Sequence, residues 1–219
     1  MPTLEERGAC GLGAEDFLDL MKNLALEPYR IERAIAVPFD RERHENDAEH
    51  SFSLGIAAIC LGPLIDEQLD ITLVSIYALI HDLAEIYAGD TPVYAGPEAR
   101  ASKEVREKTA RVELNRRFGA RFPWLTRHID NYVSMEDRES KFVYALDKIL
   151  PHAMVIIAKY HPARPTLTAY KETELIAREK IAAAYPRLSP LFDELCRRYI
   201  RTPGLFTPEP TTPGLTDEE

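Results

Sequence analysis

Apolar residues recur along this chain with the three-to-four spacing of helices. In AEDFLDLMKNLA (residues 14–25) Phe17, Leu18 and Met21 share one face, with acids near the start, where the helix dipole favours negative charge. Glu27-Pro28 ends that run. A short segment from Tyr29 to Ile35 leads into the charged, irregular stretch PFDRERHEND. Asp47 is placed to cap a helix whose first turn holds Glu49 and His50 and which continues through SFSLGIAAICLG until Gly62-Pro63 stops it. Asp70 caps the next, ITLVSIYALIHDLAEIYA, with Gly89 supplying the turn beyond. Further helices are predicted at 98–118, 123–134, 138–158, 170–184 and 188–200, with Pro123, Pro165, Pro186 and Pro190 at boundaries or first turns. No pair of alternating strands stands out between turn signals, and there is no repeat. The expected fold is an all-α bundle. From Thr202 on, four prolines and four acids surround only three sizeable apolar side chains, Leu205, Phe206 and Leu215. That predicts one domain over 1–201 and a flexible tail over 202–219.

The helix over 71–87 is apolar nearly all round, as a helix at the centre of a bundle is. Yet it carries His81, Asp82 and Glu85. At roughly 100° per residue, these three fall with Ser75 and Ala78 in one sector about 120° wide. Charged groups on a buried helix are costly unless paired or metal-bound. A cation lying between His81 and Asp82 would explain them, and His/carboxylate donors suit a divalent transition ion. His50, at the start of the FSLGIAAIC helix, and Asp147, in KFVYALDKIL, are the candidates to complete the set. On spacing alone, an ordinary buried His81–Asp82 pair and an Asp147 matched by a neighbouring lysine or arginine remain open.

Charge narrows the function. Lys and Arg number 27 against 36 Asp and Glu, a net charge of -9, so no broad basic surface is available for long nucleic acid. A few arginines in a cleft still suffice for a small phosphorylated ligand. Cys10, Cys60 and Cys196 are distant from one another and suggest neither a disulfide framework nor a CxxC site, and Cys60, in an apolar run, is expected in the core. The polar start MPTLEERGAC has no secretory pattern. Ile71 to Ile80 is too short to span a bilayer. A cytoplasmic protein without a membrane partner is therefore expected. The stretch 98–118, with opposites such as Glu107 and Arg111 at i,i+4, is expected to be a solvated outer helix.

ENDAEHSF (45–52), LIHDLAEIYAGDTP (79–92) and ALDKI (145–149) together resemble the HD-domain phosphohydrolases, in the branch of bacterial 5'-deoxynucleotidases and related HD-domain-containing proteins. The resemblance covers residues 15 to 160 and implies about five core helices, with additional C-terminal ones here. It assigns the H…HD…D metal ligands to His50, His81, Asp82 and Asp147, holding one divalent ion (manganese, cobalt, nickel, zinc, iron or magnesium). It gives catalytic weight to Glu85 and Asp90, and makes Arg33, 17 residues before His50, the phosphate clamp. Thr91 is a further substrate-positioning candidate. Arg41, Arg43, His44, Lys148, His128, His152 and His161 rank lower, the last three as residues near helix ends or charged faces. Leu83-Ala84 after the HD pair departs from the HD-GYP phosphodiesterases, and Glu85-Ile86 from the guanosine tetraphosphate hydrolases. A lone His128 before Asp147 departs from the diiron oxygenases. Arg33 is followed by AIAV, where the nucleotidase branch commonly carries Trp. The implied activity is hydrolysis of nucleoside 5'-monophosphates, with a deoxyribose preference, by a protein that forms homodimers. A nucleoside triphosphatase, or a phosphatase for another ester, is the alternative within the fold. A non-catalytic metal-binding helical interaction module is the alternative outside it.

Overall fold

In the computed structural model, residues 13–91 and 97–209 are described. The chain opens with α1 (Ala14–Leu20), extended by a wider π-helical turn and a 3-10 turn to Arg30. The all-α expectation holds except for a small antiparallel hairpin, β1 (Glu32–Val37) and β2 (Asp40–Asn46), which the sequence reading did not include. Its register pairs Glu32 with Asn46, Ala36 with His44 and Val37 with Asp40, with irregularities between them. The hairpin was hard to read because β2, DRERHEN, has no apolar face. Among its side chains only Glu45 is buried, and that burial serves the site described below.

α2 (Asp47–Ile65) starts one residue earlier than a cap at Asp47 implies. Asn46 is the cap: its side chain accepts from the Glu49 N–H while the Glu49 carboxylate accepts from the Asn46 N–H, a reciprocal capping box. The helix also runs past Gly62-Pro63. Pro63 lies within the last turn, where its missing N–H removes one helical bond, and the Asp66 N–H still reaches the Gly62 carbonyl. α3 (Ile71–Ile80) is capped by Asp70, whose carboxylate accepts from the N–H groups of Thr72 and Leu73.

The predicted continuous helix to residue 87 is broken. After Ile80 comes a tight turn with bonds from Leu83 N to Ile80 O and Glu85 N to Asp82 O, and only then α4 (Glu85–Ala88). Gly89 follows at φ 71°, ψ 152°, a conformation essentially reserved for glycine. α5 (Pro97–Leu114), α6 (Pro123–Ser134), α7 (Arg138–Ala158), α8 (Leu167–Ala184) and α9 (Ser189–Arg201) complete the described body, close to the boundaries read from the sequence.

The core lies between α2, α3 and α7, with Leu54, Ala58, Val74, Tyr77, Phe142 and Val143 fully buried. A second, smaller cluster forms around Val155, Tyr170, Tyr199 and Leu205. The expected tail therefore does not leave the body at Thr202. Leu205 is buried, Thr207 N bonds to Pro165 O, and Glu209 accepts from Thr168 N; residues 210–219 lie outside the described residues. Cys60, expected in the core, is exposed on the outer side of α2. Cys10 and the polar N-terminal stretch before residue 13 are outside the described residues.

Candidate metal centre

Four donor side chains from three helical segments converge at the N-terminal part of α2, the end of α3 and the middle of α7. One ligand atom each from His50, His81, Asp82 and Asp147 lies within 4.8 Å of all the others. Nε2 of His50 is 2.9 Å from Oδ1 of Asp147, and Nε2 of His81 is 2.9 Å from Oδ2 of Asp82 and 3.7 Å from Asp147. His81 makes the strongest case that a cation belongs here. Its Nδ1 is 3.0 Å from the carbonyl of Ala78, which can only accept, so Nδ1 carries a proton and Nε2 is the nitrogen turned to the cluster. That Nε2 is buried and has no hydrogen-bond partner among the described residues. Nδ1 of His50 similarly faces Glu45, 3.4 Å away, leaving its Nε2 toward Asp147. These are the donor types and the outward hydrogen bonds that a divalent ion requires, so the residues fit the implied metal. In the metal-free cluster burial works against a charged His81, but the Asp82 and Asp147 carboxylates outweigh it and push its pKa up to about 10. A proton is drawn to the position a cation would fill.

A second set of carboxylates, Asp47, Asp82 and Glu85, gathers beside the first. Arg33 of β1 spans it, donating to Asp47 at 3.1 Å and Asp82 at 2.9 Å, with Nε 3.7 Å from Glu45. Lys103 of α5 reaches to 3.7 Å from Glu85, and Lys148 donates to Asp147 at 2.7 Å. Glu45, Asp47, Asp82, Glu85 and Asp147 thus face Arg33, Lys103 and Lys148, a surplus of two negative charges when all are ionised. Uncompensated buried charge costs several kcal/mol per ion. The protein without a cation answers by holding protons. Burial, then the neighbouring Asp82, Asp47 and Asp90, push the Glu85 carboxyl up to about 9 against the pull of Lys103, and burial with Asp82 raises Asp47 to about 6.

All eight residues singled out from the sequence meet around one place. Arg33, His81, Asp82, Glu85, Asp90, Thr91 and Asp147 line a single cavity of about 730 Å³, with His50 buried beneath it. Thr91 is already engaged, its hydroxyl oxygen accepting from Arg106 at 2.6 Å, and Arg106 also holds the Ala88 carbonyl. Sequence reasoning missed Glu45, Asp47 and Lys103. Glu45 sits in the charged stretch before α2, Asp47 is the first residue of α2, and Lys103 stands on the helix expected to be a solvated face. In fact Lys103, Glu107 and Arg111 of α5 line the cavity, and Glu107 pairs with Lys103 at 3.2 Å. Arg41 and Arg43 are occupied elsewhere, donating to the Ala158 carbonyl and to Glu49. His44 is exposed, and His128 is half-buried with its Nδ1 2.8 Å from the Trp124 carbonyl. His152 was expected near a helix boundary, but it stands inside α7 and its ring meets Tyr170, Phe192 and Tyr199.

A helical body that brings two histidines and two aspartates within 4.8 Å of one another has the arrangement of a metal-binding helical fold of the HD type. Residues 30–188 match the family model of the HD domain (HD_3), most of the chain, and the protein belongs to that family. Its structure is similar to the crystal structure of a predicted metal-dependent phosphohydrolase from Magnetospirillum magnetotacticum MS-1, with 27% sequence identity, a TM-score of 0.70, and coverage of 94% of this chain and 99% of the other. No functionally curated protein matched.

Proposed function

We propose that this protein is a divalent-metal-dependent phosphomonoesterase acting on nucleoside 5'-monophosphates. The observation that carries the reading is the convergence of His50, His81, Asp82 and Asp147, one ligand atom of each within 4.8 Å of the others, directly beside the Glu85 carboxyl, one oxygen of which is buried without a partner among the described residues. A cation held by His50, His81, Asp82 and Asp147 would supply Lewis-acid polarisation of a phosphoryl oxygen. The chain's own groups do the rest. Glu85, with its pKa raised by burial and by nearby carboxylates, exchanges a proton with the attacking water and the departing alkoxide. Asp90 lines the cavity from the turn after Gly89 and shares in positioning the water. Arg33 fixes Asp47 and Asp82 and offers positive charge to the non-bridging oxygens, while Lys148 adds charge from α7. The similarity to a predicted phosphohydrolase supports the reaction class. The resemblance of the motif segments to deoxynucleotidases, together with a cavity much larger than one phosphate, supports the nucleotide.

One observation favours a second reading. Lys103, Arg111 and Lys148 also line the cavity, enough cationic groups to meet a triphosphate. Protein loaded in turn with manganese, cobalt, nickel, zinc, iron or magnesium is to be given a panel of ribo- and deoxyribonucleoside mono-, di- and triphosphates, with phosphate and pyrophosphate measured separately. Phosphate from monophosphates is expected; pyrophosphate alone, from triphosphates, would sink the monoesterase. We also infer that the functional unit is a homodimer, on grounds that belong to the whole molecule.

A further inference from the structure

α7 presents one continuous face to the cavity, formed by Tyr144, Asp147, Lys148, Pro151, His152 and Val155 at helical spacing. The metal-ligand end of this face is charged. Eight residues beyond Asp147, about 12 Å at 1.5 Å per residue, the same cavity is walled differently. Tyr170 of α8 and Tyr199 of α9 stack there with ring centres 4.3 Å apart, and the His152 ring lies 6.0 and 5.6 Å from them.

Two polar atoms at this end stand apart from the metal cluster. The Tyr170 hydroxyl, on a side chain only 1% exposed, and Nδ1 of His152 are both buried without a hydrogen-bond partner among the described residues. Their nearest polar company is weak: the Cys196 thiol beside the Tyr170 hydroxyl and the Lys148 backbone one turn back from His152. Leaving such groups unmatched is unfavourable unless something that enters can match them. Burial pushes the His152 pKa down to about 4, so this end carries no charge from the imidazole at neutral pH. Lys180, the cation that α8 contributes to the cavity, is ten residues beyond Tyr170, about 15 Å along the helix. That arrangement favours a second phosphate less than it does an uncharged ring. An uncharged flat ring with donors and acceptors on its edge finds aromatic walls, a phenol and an imidazole, with the length of a sugar between it and the metal ligands.

We propose that the end of the cavity between α7, α8 and α9 binds the leaving group of the ester and selects an uncharged heteroaromatic ring, of nucleobase type, through the Tyr170 hydroxyl and the His152 imidazole. This rests on the phosphomonoesterase reading and gives it a specificity pocket. Tyr170→Phe and His152→Phe keep the aromatic volume and remove only the polar atoms. With metal-loaded protein, each is expected to weaken kcat/KM for a nucleoside 5'-monophosphate about threefold to tenfold, chiefly through KM, as loss of one hydrogen bond implies. Turnover of ribose 5-phosphate, which has no ring to place, and metal content are expected to stay at the wild-type level. Titration calorimetry with the free nucleoside should show the same weakening without any chemistry. Equal losses on both substrates, or no loss on either, would overturn the pocket while leaving the esterase reading intact. Hydrolysis of ribose 5-phosphate but of no nucleotide would do the same. If neither ester is hydrolysed the esterase reading falls, and the nucleoside titration alone then decides the pocket.

Discussion

His81 and Glu85 sit four residues apart and are asked to do different things, and the difference is measurable. The imidazole is locked by the Ala78 carbonyl with its Nε2 toward Asp82 and Asp147, so it and Asp147 are placed to be donors to the proposed cation. Glu85 lies beside that set and pairs with Lys103. Asp147→Ala is expected to lose bound metal and turnover together. Glu85→Gln is expected to retain most of the metal and lose about a hundredfold in turnover, the scale of a missing proton-transfer group. Metal analysis alongside phosphate release separates the two; normal turnover in Glu85→Gln would remove its catalytic role. The proton held by His81 sets the sign of a pH effect in the same preparation. Its pKa is raised, so the metal-free protein is protonated at neutral pH and a cation must displace that proton. Affinity for manganese or cobalt should therefore rise with pH, by about tenfold per unit for each proton released, in titrations at pH 6.5 and 7.5. His81, Asp82 and Glu85 were legible in the sequence because charge on an otherwise apolar helix demands a reason. Glu45, Asp47 and Lys103 were not, because each stands among charged neighbours where burial leaves no trace in the pattern.

Between residue and fold, the element that matters most is the break after α3. A continuous helix would carry Glu85 on through the turn positions; instead the chain tightens at 81–84, restarts at Glu85 and reverses at Gly89. Asp90 and Thr91 reach the cavity only because Gly89 adopts φ 71°. An added Cβ would meet no atom within 4 Å, so the constraint is conformational and not steric crowding. Gly89→Ala is expected to cost about 1–3 kcal/mol if the turn is kept. If the backbone relaxes instead, Asp90 shifts and turnover falls with metal content unchanged. Thermal melts with parallel assays distinguish these, and wild-type values in both would show that the turn carries neither role. The sequence indicated a glycine turn here but not the broken helix, since apolar periodicity continues through Leu83 and Ile86 as if the backbone did. The hairpin was hidden for the opposite reason: its second strand has helix-neutral, charged residues and buries only Glu45. Helices with long apolar faces, α6 and α7, were readable to their ends.

At the scale of the whole molecule, α2 has one face too many. Leu54 and Ala58 are in the core and His50 is at the metal centre, but the opposite side exposes Phe52, Ile56, Ile59, Cys60, Pro63 and Leu64, with Phe52 66% and Leu64 81% accessible. No charged residue occurs from Ser51 to Ile65. These positions form one stripe about 18 Å long at 1.5 Å per residue, and apolar stripes of that kind mark binding surfaces. By length and composition α2 could also cross a bilayer, but its first turns hold Asp47 and His50 of the site and its inner side packs on α3 and α7. A second copy of the chain is the better match. Two α2 helices crossing antiparallel about a twofold axis between Ile56 and Ile59 would set Phe52 of each against Pro63 and Leu64 of the other, a self-complementary arrangement. Sedimentation at micromolar concentration is expected to give twice the 24.9 kDa chain mass for the wild type. Ile56→Asp with Ile59→Asp, both on the exposed face, should give the single-chain mass with helicity and metal content retained. A wild type that sediments only as one chain would rule out the dimer, and a dimer that survives both substitutions would move the interface off α2.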